Sequence, residues 1–446
     1  MYYKNTTFLV AGLQKSGFSA SKMLINLGAK VYIYDKRKTN QIESNIKLLE
    51  NLGATLIEDY NKAVEFCDVL VISPGVPIDS EICKTFKNAN KRIIGELELS
   101  SMQIKTPIIA VTGTNGKTTV CSLIHSALNK SGYKTTLAGN IGTPLSDIIE
   151  SCNQSEFSVV EVSSYQLETT CLFCPHVSVF LNLTEDHLER HYTLENYALV
   201  KSKILLPLRE SEFAVLNFDD KIVKEMAGVT RGKVLYFSTK QKVDGAYIEN
   251  DSIYFMGEKI LEIAELNLKE PHNIENALAT VCALKAVRVS NEDIKKSLSE
   301  FKGVKHRLEK VHELNGVTFV NDSKSTNPAS SIKAIQSLKT PAVLILGGSE
   351  KNLDYTELFE KIKSSKKVKW TVITGSFAGG LLNYAVKVGV DKITSVKEFK
   401  DAVVTAYKLC SKNDTVLLSP GTASFDEFSS FEERGERFVE IVKSLK

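Results

Sequence analysis

The chain has 446 residues, which predicts two or three domains at roughly 150 residues each. Hydrophobic residues make up 43% and charged residues 24%, the balance of a soluble globular protein. Lys and Arg number 56 against 53 Asp and Glu, and a net charge of +3 leaves no electrostatic footprint for nucleic acid or an anionic membrane. No apolar run approaches the roughly 18 residues of a spanning helix. The opening MYYKNTTFLVAG enters a strand without the basic segment, apolar stretch or cleavage site of a signal peptide. The eight Cys are scattered; Cys171 and Cys174 form a CLFC pair with no second pair to complete four zinc ligands, so they read as apolar packing. The expectation is a reduced, cytoplasmic chain that contacts neither nucleic acid nor membrane.

In chain order, TTFLVAG reads as a buried strand, residues 17–27 as a helix and KVYIYD as the next strand. ATLIE and CDVLVIS continue the alternation, with a helix over residues 41–51. This spacing predicts right-handed crossovers and a mostly parallel α/β sheet. A second block opens at PIIAVTG, continues into a helix and includes the buried strands FSVVEVSS and HVSVFLNLT. A third begins near Gly303 with a hairpin, LEKVHELNGVTFVND, followed by PAVLILGG, VKWTVITG and NDTVLLSP. Open α/β sheets bind ligands beyond the carboxyl ends of their strands, so these ends mark a site.

The sharpest motif is TGTNGKTT, residues 112–119, between a predicted strand and a predicted helix. Successive N–H groups of such a loop cradle phosphate oxygens, and the helix N-terminus adds positive potential. Lys117 is placed for the terminal phosphates and the Thr118 hydroxyl for Mg2+. Val111 stands where the general P-loop pattern has its first Gly. Glu161 closes a buried strand downstream, a position suited to the same metal. Asp186 and His187 lie at a third strand end, while Lys201 and Lys203 sit on a helix where each alone reads as a solvated cation. GNIGTPL, with Asn140, is another tight loop. Arg307 follows the third block's boundary and suits bidentate phosphate contact. NDSKSTNP brings Asp322, Lys324, Thr326 and Asn327 into one loop, with Lys351 and Ser424 after later strands; such cations and hydroxyls suit an anionic amino acid. GLQKSG, residues 12–17, imitates a dinucleotide fingerprint, but Gln14 in place of the middle Gly gives a nicotinamide site little support, while the same geometry can hold another nucleotide diphosphate.

Taken together, TGTNGKTT, TEDH, HR, NDSKSTNP and SPGTASFDEFSSFEERG resemble the Mur ligase family over essentially the whole chain. The resemblance implies an α/β fold of three domains. These are a Rossmann-like UDP-binding domain (1–98), a P-loop ATPase-like central domain (99–303) and a Rossmann-like D-glutamate-binding domain (304–446). It implies ATP-dependent addition of D-glutamate to UDP-N-acetylmuramoyl-L-alanine through an acyl phosphate, by a monomer. Lys117, Glu161, His187 and Lys201 are then catalytic. Thr118, Glu161, His187 and Lys201 hold Mg2+ at two sites, with Lys201 carried as a CO2-derived carbamate. ATP falls to Gly113, Thr114, Asn115, Gly116, Lys117, Thr118, Thr119, Asn273, Asn276, Arg307 and Asp322. The UDP-substrate falls to Gln14, Lys15, Ser16, Asp35, Lys36, Arg37, Ser73, Gly75, Asn140, Ser163 and His187. D-Glutamate falls to Lys324, Thr326, Lys351, Ser424 and Phe431.

Two other readings stay open on the residues: a folylpolyglutamate synthetase-like ligase and a nucleotide-binding regulator without catalysis. The roughly 110 residues ahead of TGTNGKTT fit a UDP-binding domain better than the first. A regulator has no need of Glu161, His187 and an amino-acid pocket together.

Overall fold

A computed structural model describes residues 3–140, 143–350 and 353–445. The chain divides into two compact units, Met1–Lys302 and Gly303–Lys446. The first holds two sheets. One has five parallel strands in the order Thr55–Leu56, Lys30–Tyr34, Thr7–Ala11, Val69–Ile72, Arg92–Gly95. The other has nine strands, with Ile108–Thr112 flanked by Val177–Phe180 and Phe157–Glu161. Its strands are parallel except where Ser252–Phe255 pairs antiparallel with both of its neighbours.

The strands read as continuous apolar runs because helices cover both faces of each sheet. Along Ile108–Thr112, Ile109 and Val111 point into the core beneath the helices Lys117–Lys130 and Pro271–Ala286. Ile108 and Ala110 point into a second core on the opposite face. Phe8 and Val10 alternate with Leu9 and Ala11 in the same way in the five-stranded sheet. With both faces filled mainly by apolar side chains, the candidate site residues fall at strand ends.

The expected 98/99 boundary lies inside the helix Glu96–Ser101, which fastens the two sheets of this unit together. Glu98 is fully buried, and its carboxylate accepts the backbone N–H groups of Cys171, Leu172 and Phe173 at 2.9–3.1 Å. The CLFC loop therefore serves through its backbone amides. Cys174 packs against the core, whereas Cys171 is exposed, contrary to the apolar packing expected of it. Glu96 accepts the Ser146 N–H at 2.7 Å and the Ser100 hydroxyl at 3.1 Å. Ser19 donates to Asp147 at 2.5 Å, closing the same seam from the N-terminal sheet.

The second unit carries a six-stranded sheet in the order Glu309–Leu314, Val317–Asn321, Thr415–Leu418, Ala342–Gly347, Val368–Thr374, Ile393–Ser395. Its first pair is the antiparallel hairpin; the others run parallel. Among the described residues no helix is long and apolar enough to cross a membrane.

Replacing Glu98 by Ala removes the acceptor of three N–H donors, of which that of Phe173 is buried, at about 1 kcal/mol each. Urea unfolding should show a loss of about 3 kcal/mol in the transition of the N-terminal unit, and an unchanged midpoint would contradict this role for the carboxylate.

Candidate active site

Residues 113–116 join the strand Ile108–Thr112 to the helix Lys117–Lys130. Gly116 caps that helix at φ +86°, a left-handed conformation in which a side chain is strained. A Cβ there would lie 2.4 Å from Asn276 Oδ1, which places Asn276 against the loop. Asn273 lies one turn earlier on the same helix and donates to Glu270 at 3.0 Å. Asn182 holds the loop's other side, its Oδ1 accepting the Asn115 N–H at 2.8 Å and its backbone O the Thr114 N–H at 3.0 Å. Lys117 Nζ turns back to donate to Gly113 O and Thr114 O, both at 2.8 Å. Thr119, in the helix's first turn, shares a small hollow with Asn273, Leu266 and Phe301.

Glu161 ends the strand beside the loop and is buried. One carboxylate oxygen accepts the Thr118 hydroxyl at 2.8 Å and the other accepts Asn140 Nδ2 at 2.8 Å. Among the described residues there is no group of three or more His, Cys, Asp and Glu placed to hold a metal. The donors at this point are instead a hydroxyl and a carboxylate, hard oxygens that fit Mg2+.

Lys201 is not the solvated helix cation its sequence context suggests. It is 1% exposed, and Nζ donates to Gly113 O at 3.0 Å and Thr112 Oγ1 at 3.3 Å. The ammonium lies 4.8 Å over the Tyr197 ring. Burial first, then the neighbouring Lys117 charge, drive its pKa well below the ordinary lysine value. His187 adopts φ +55° just before the short helix Leu188–His191. Its Nδ1 lies 2.9 Å from the Tyr165 hydroxyl, and Nε2 is 3.7 Å from Asp186. Ser163 caps the turn carrying Tyr165, in a reciprocal pair with Gln166.

The N-terminal candidates lie at the ends of the five-stranded sheet. Asp35 Oδ2 accepts the Leu13 N–H at 2.7 Å, and Oδ1 accepts Arg37 N at 2.9 Å and Nε at 3.3 Å. Burial opposes its charge, but the Arg37 and backbone bonds outweigh it and hold the carboxyl below its ordinary pKa. Ser73 donates to Gly12 O at 2.6 Å, tying two strand ends together. Gly17 is required here, since a Cβ would lie 1.8 Å from Gly12 O. Gln14, Lys15, Lys36 and Gly75 are exposed around these turns and Ser16 is half-buried, whereas Asn140 is exposed at a strand end of the nine-stranded sheet beside Glu161.

In the second unit Asp322 is buried, accepting Ser325 Oγ at 2.5 Å, Ser419 Oγ at 2.7 Å and the Leu308 N–H at 3.1 Å. Burial lifts its pKa to about 6. Arg307 is exposed on the adjoining turn. Lys324 Nζ lies 5.9 Å over the Phe431 ring, and the Thr326 N–H donates to Lys324 O at 2.9 Å. Ser424 is buried, while Lys351 lies outside the described residues.

Sequence reasoning missed Arg434, which is 1% exposed and organises this end of the sheet. It donates to Ser323 Oγ and O at 3.0 Å, Ala423 O at 3.1 Å, Thr422 O at 3.2 Å and Gly347 O at 3.3 Å. Three strand ends are thus held by one guanidinium, and its burial lowers the pKa to about 10. The signal was available: Arg434 shares the inward stripe of Phe438, Ile441 and Val442 on the helix Phe431–Ser444.

A phosphate loop beside a Thr–Glu pair, over parallel sheets, defines a nucleotide-dependent enzyme of α/β type. The chain belongs to the Mur ligase family, ATP-dependent ligases of peptidoglycan precursor synthesis. Residues 6–95 match the Mur ligase MurD-like N-terminal domain, 111–284 the Mur ligase middle domain and 306–421 the Mur ligase glutamate ligase domain. The UDP-N-acetylmuramoylalanine–D-glutamate ligases of Thermoanaerobacter sp. (strain X514) and Clostridioides difficile (strain 630) are each 41% identical, covering 100% of both chains. That of Streptococcus mutans is 38% identical over 100% of this chain and 98% of its own. Two solved structures share the fold. UDP-N-acetylmuramate–alanine ligase from Thermotoga maritima has a TM-score of 0.56 at 18% identity, covering 99% of this chain and 100% of that one. MurF from Acinetobacter baumannii has a TM-score of 0.58 at 19% identity, covering 93% and 91%.

The raised pKa of Asp322 has a signed consequence. Its folded value of about 6 exceeds the ordinary 3.8, so the folded unit holds the extra proton between them. Stability therefore falls as pH rises from 4 to 6 and is level above, by up to about 3 kcal/mol. Asp322→Asn, which cannot ionise, should lose that part of the slope in urea unfolding at pH 4.5 and 7; an identical slope in both proteins would contradict the assignment.

Proposed function

We propose that this chain joins D-glutamate to UDP-N-acetylmuramoyl-L-alanine, converting ATP to ADP and phosphate. The observation that carries the reading is the contact of Thr118 with Glu161 at the head of the phosphate loop. It lies in a chain matched end to end by relatives of that name. A carboxylate is a poor electrophile at neutral pH. Its attack on the γ-phosphorus gives an acyl phosphate with loss of ADP. The free amine of D-glutamate then adds to the carbonyl, and the tetrahedral intermediate expels phosphate and a proton to leave the amide.

The protein's part in both steps is to fix positions and offset negative charge. The amides of residues 113–116 and the Lys117 ammonium suit the ATP phosphates, with Thr114 and Thr119 beside them. Lys117 would exchange its two loop carbonyls for phosphate oxygens. Asn273, Asn276, Arg307 and Asp322 are assigned to the rest of the nucleotide. Mg2+, held by Thr118 and Glu161 at one site and by His187 and Lys201 at a second, would supply charge neutralisation. Gln14, Lys15, Ser16, Asp35, Lys36, Arg37, Ser73, Gly75, Asn140, Ser163 and His187 are assigned to the UDP-substrate. Lys324, Lys351, Thr326, Ser424 and Phe431 are assigned to D-glutamate, two cations for two carboxylates. We take the enzyme to act as a monomer, and a nucleotide-linked substrate with ATP supports a cytoplasmic setting.

We read Lys201 as N-carboxylated. Its buried amine favours the neutral form, the form that adds to CO2; a C–N bond forms, one C–O π bond opens to an oxyanion, and a proton leaves to solvent. Labelling with 13CO2 should give a carbamate signal that Lys201→Ala lacks. The same variant should be nearly inactive, with formate or acetate restoring part of the rate. An active Lys201→Ala enzyme would contradict the role.

Lys117→Ala should cut turnover at least about a thousandfold, roughly 4 kcal/mol of transition-state stabilisation. In the unaltered enzyme, sustained ADP release beyond one equivalent should require D-glutamate and UDP-N-acetylmuramoyl-L-alanine together. L-Glutamate and D-glutamine should be poor substrates, because a pocket of fixed charges strongly rejects a misplaced or missing carboxylate. Near-normal turnover by Lys117→Ala, or sustained ADP release when either co-substrate is left out, would count against the reading.

A further inference from the structure

We propose that Arg190 is a positioning residue that holds the loop of residues 73–79 in register with His187, and so sets where the UDP-substrate's reacting end falls; the substrate assignment rests on the functional reading above. Arg190 sits on the short helix Leu188–His191, three residues past His187. Its Nε donates to Glu168 Oε1 at 2.8 Å and Nη2 to Glu168 Oε2 at 2.5 Å, a two-pronged pair. Nη2 also donates to Val76 O at 2.9 Å. The two side chains are only 14% and 5% exposed, so the pair is shielded from solvent.

The pair joins three segments of one unit. Val76 follows Ser73 and Gly75 at the end of the strand Val69–Ile72. Glu168 ends the short helix Ser164–Leu167, whose Tyr165 reaches His187 Nδ1 at 2.9 Å. The guanidinium lies 5.4 Å over the Tyr165 ring, so the same group steadies the residue that orients the imidazole. A planar fork satisfies two carboxylate oxygens and a backbone carbonyl at once, which a point-charge ammonium cannot reproduce. A second tie lies beside it: the Tyr192 hydroxyl donates to Asp79 at 2.6 Å, with Tyr192 at φ +66°. Two consecutive-turn contacts from the His187 segment to one loop are a registration device. Displacement of about 1 Å in such a device is costly for a reacting carboxylate.

The test uses the full chain with Arg190→Ala and Arg190→Lys. Arg190→Ala should lower kcat/KM for UDP-N-acetylmuramoyl-L-alanine at least about fiftyfold, while KM for ATP and D-glutamate stay within about threefold. Arg190→Lys should keep less than a tenth of the original kcat/KM, and added guanidinium ion should partly restore Arg190→Ala. Amide exchange of residues 75–79 should quicken at least tenfold in either variant without any substrate. Equal losses for all three substrates, or unaltered exchange in that loop, would overturn the proposal. If Arg190→Ala does not fold, Arg190→Lys decides, and full kcat/KM there overturns it. An unaltered enzyme that releases no ADP with these substrates would instead overturn the functional reading, leaving loop exchange to judge Arg190.

Discussion

Helices cover both faces of the central strands, so the groups assigned to chemistry are placed where those strands stop. At the end of the strand Ile108–Thr112 the backbone turns through two positive-φ glycines into a helix N-terminus. The neighbouring strand ends one residue earlier in register, with Glu161 opposite Val111. Parallel pairing thereby sets Glu161 within 2.8 Å of the first helical hydroxyl, Thr118. The site is a consequence of register, and a slip by one residue would turn Glu161 towards a core face.

The buried cations near strand ends solve a related problem in two ways. Arg434 keeps its charge by spreading five hydrogen bonds over carbonyls and a hydroxyl of three loops. Lys201 has one carbonyl, one hydroxyl and an aromatic face, and its burial disfavours the ammonium. A guanidinium suits a permanent structural tie; a lysine amine is the group that can be altered chemically. Carboxylates follow the same division, because Glu98 and Glu168 serve backbone amides and an arginine, while Glu161 faces the phosphate loop.

Much of this was legible in the sequence. Buried parallel strands announce themselves as apolar runs, and the PIIAVTG, FSVVEVSS and HVSVFLNLT segments became Ile108–Thr112, Phe157–Glu161 and Val177–Phe180. Short motifs at their ends located Lys117, Thr118, Glu161 and His187 because loop chemistry is local. What was not legible depends on partners distant in sequence. The burial of Lys201 comes from its packing beside Thr112 and Gly113, 88–89 residues away. Arg190 reads as one charge among several in TEDHLERH until Val76, 114 residues earlier, is seen as its acceptor. ATLIE kept only Thr55–Leu56 as strand, since this edge segment is exposed and has one neighbour.

The account centres on activation of a carboxylate by phosphoryl transfer at the loop end. The most direct measurement uses UDP-N-acetylmuramoyl-L-alanine with both carboxylate oxygens replaced by 18O. The carboxylate oxygen that attacks phosphorus leaves with it when the amine adds. Mass spectrometry should therefore find one 18O in each inorganic phosphate released and one in the amide product. Phosphate free of 18O, formed at the same rate as the amide, would contradict the account.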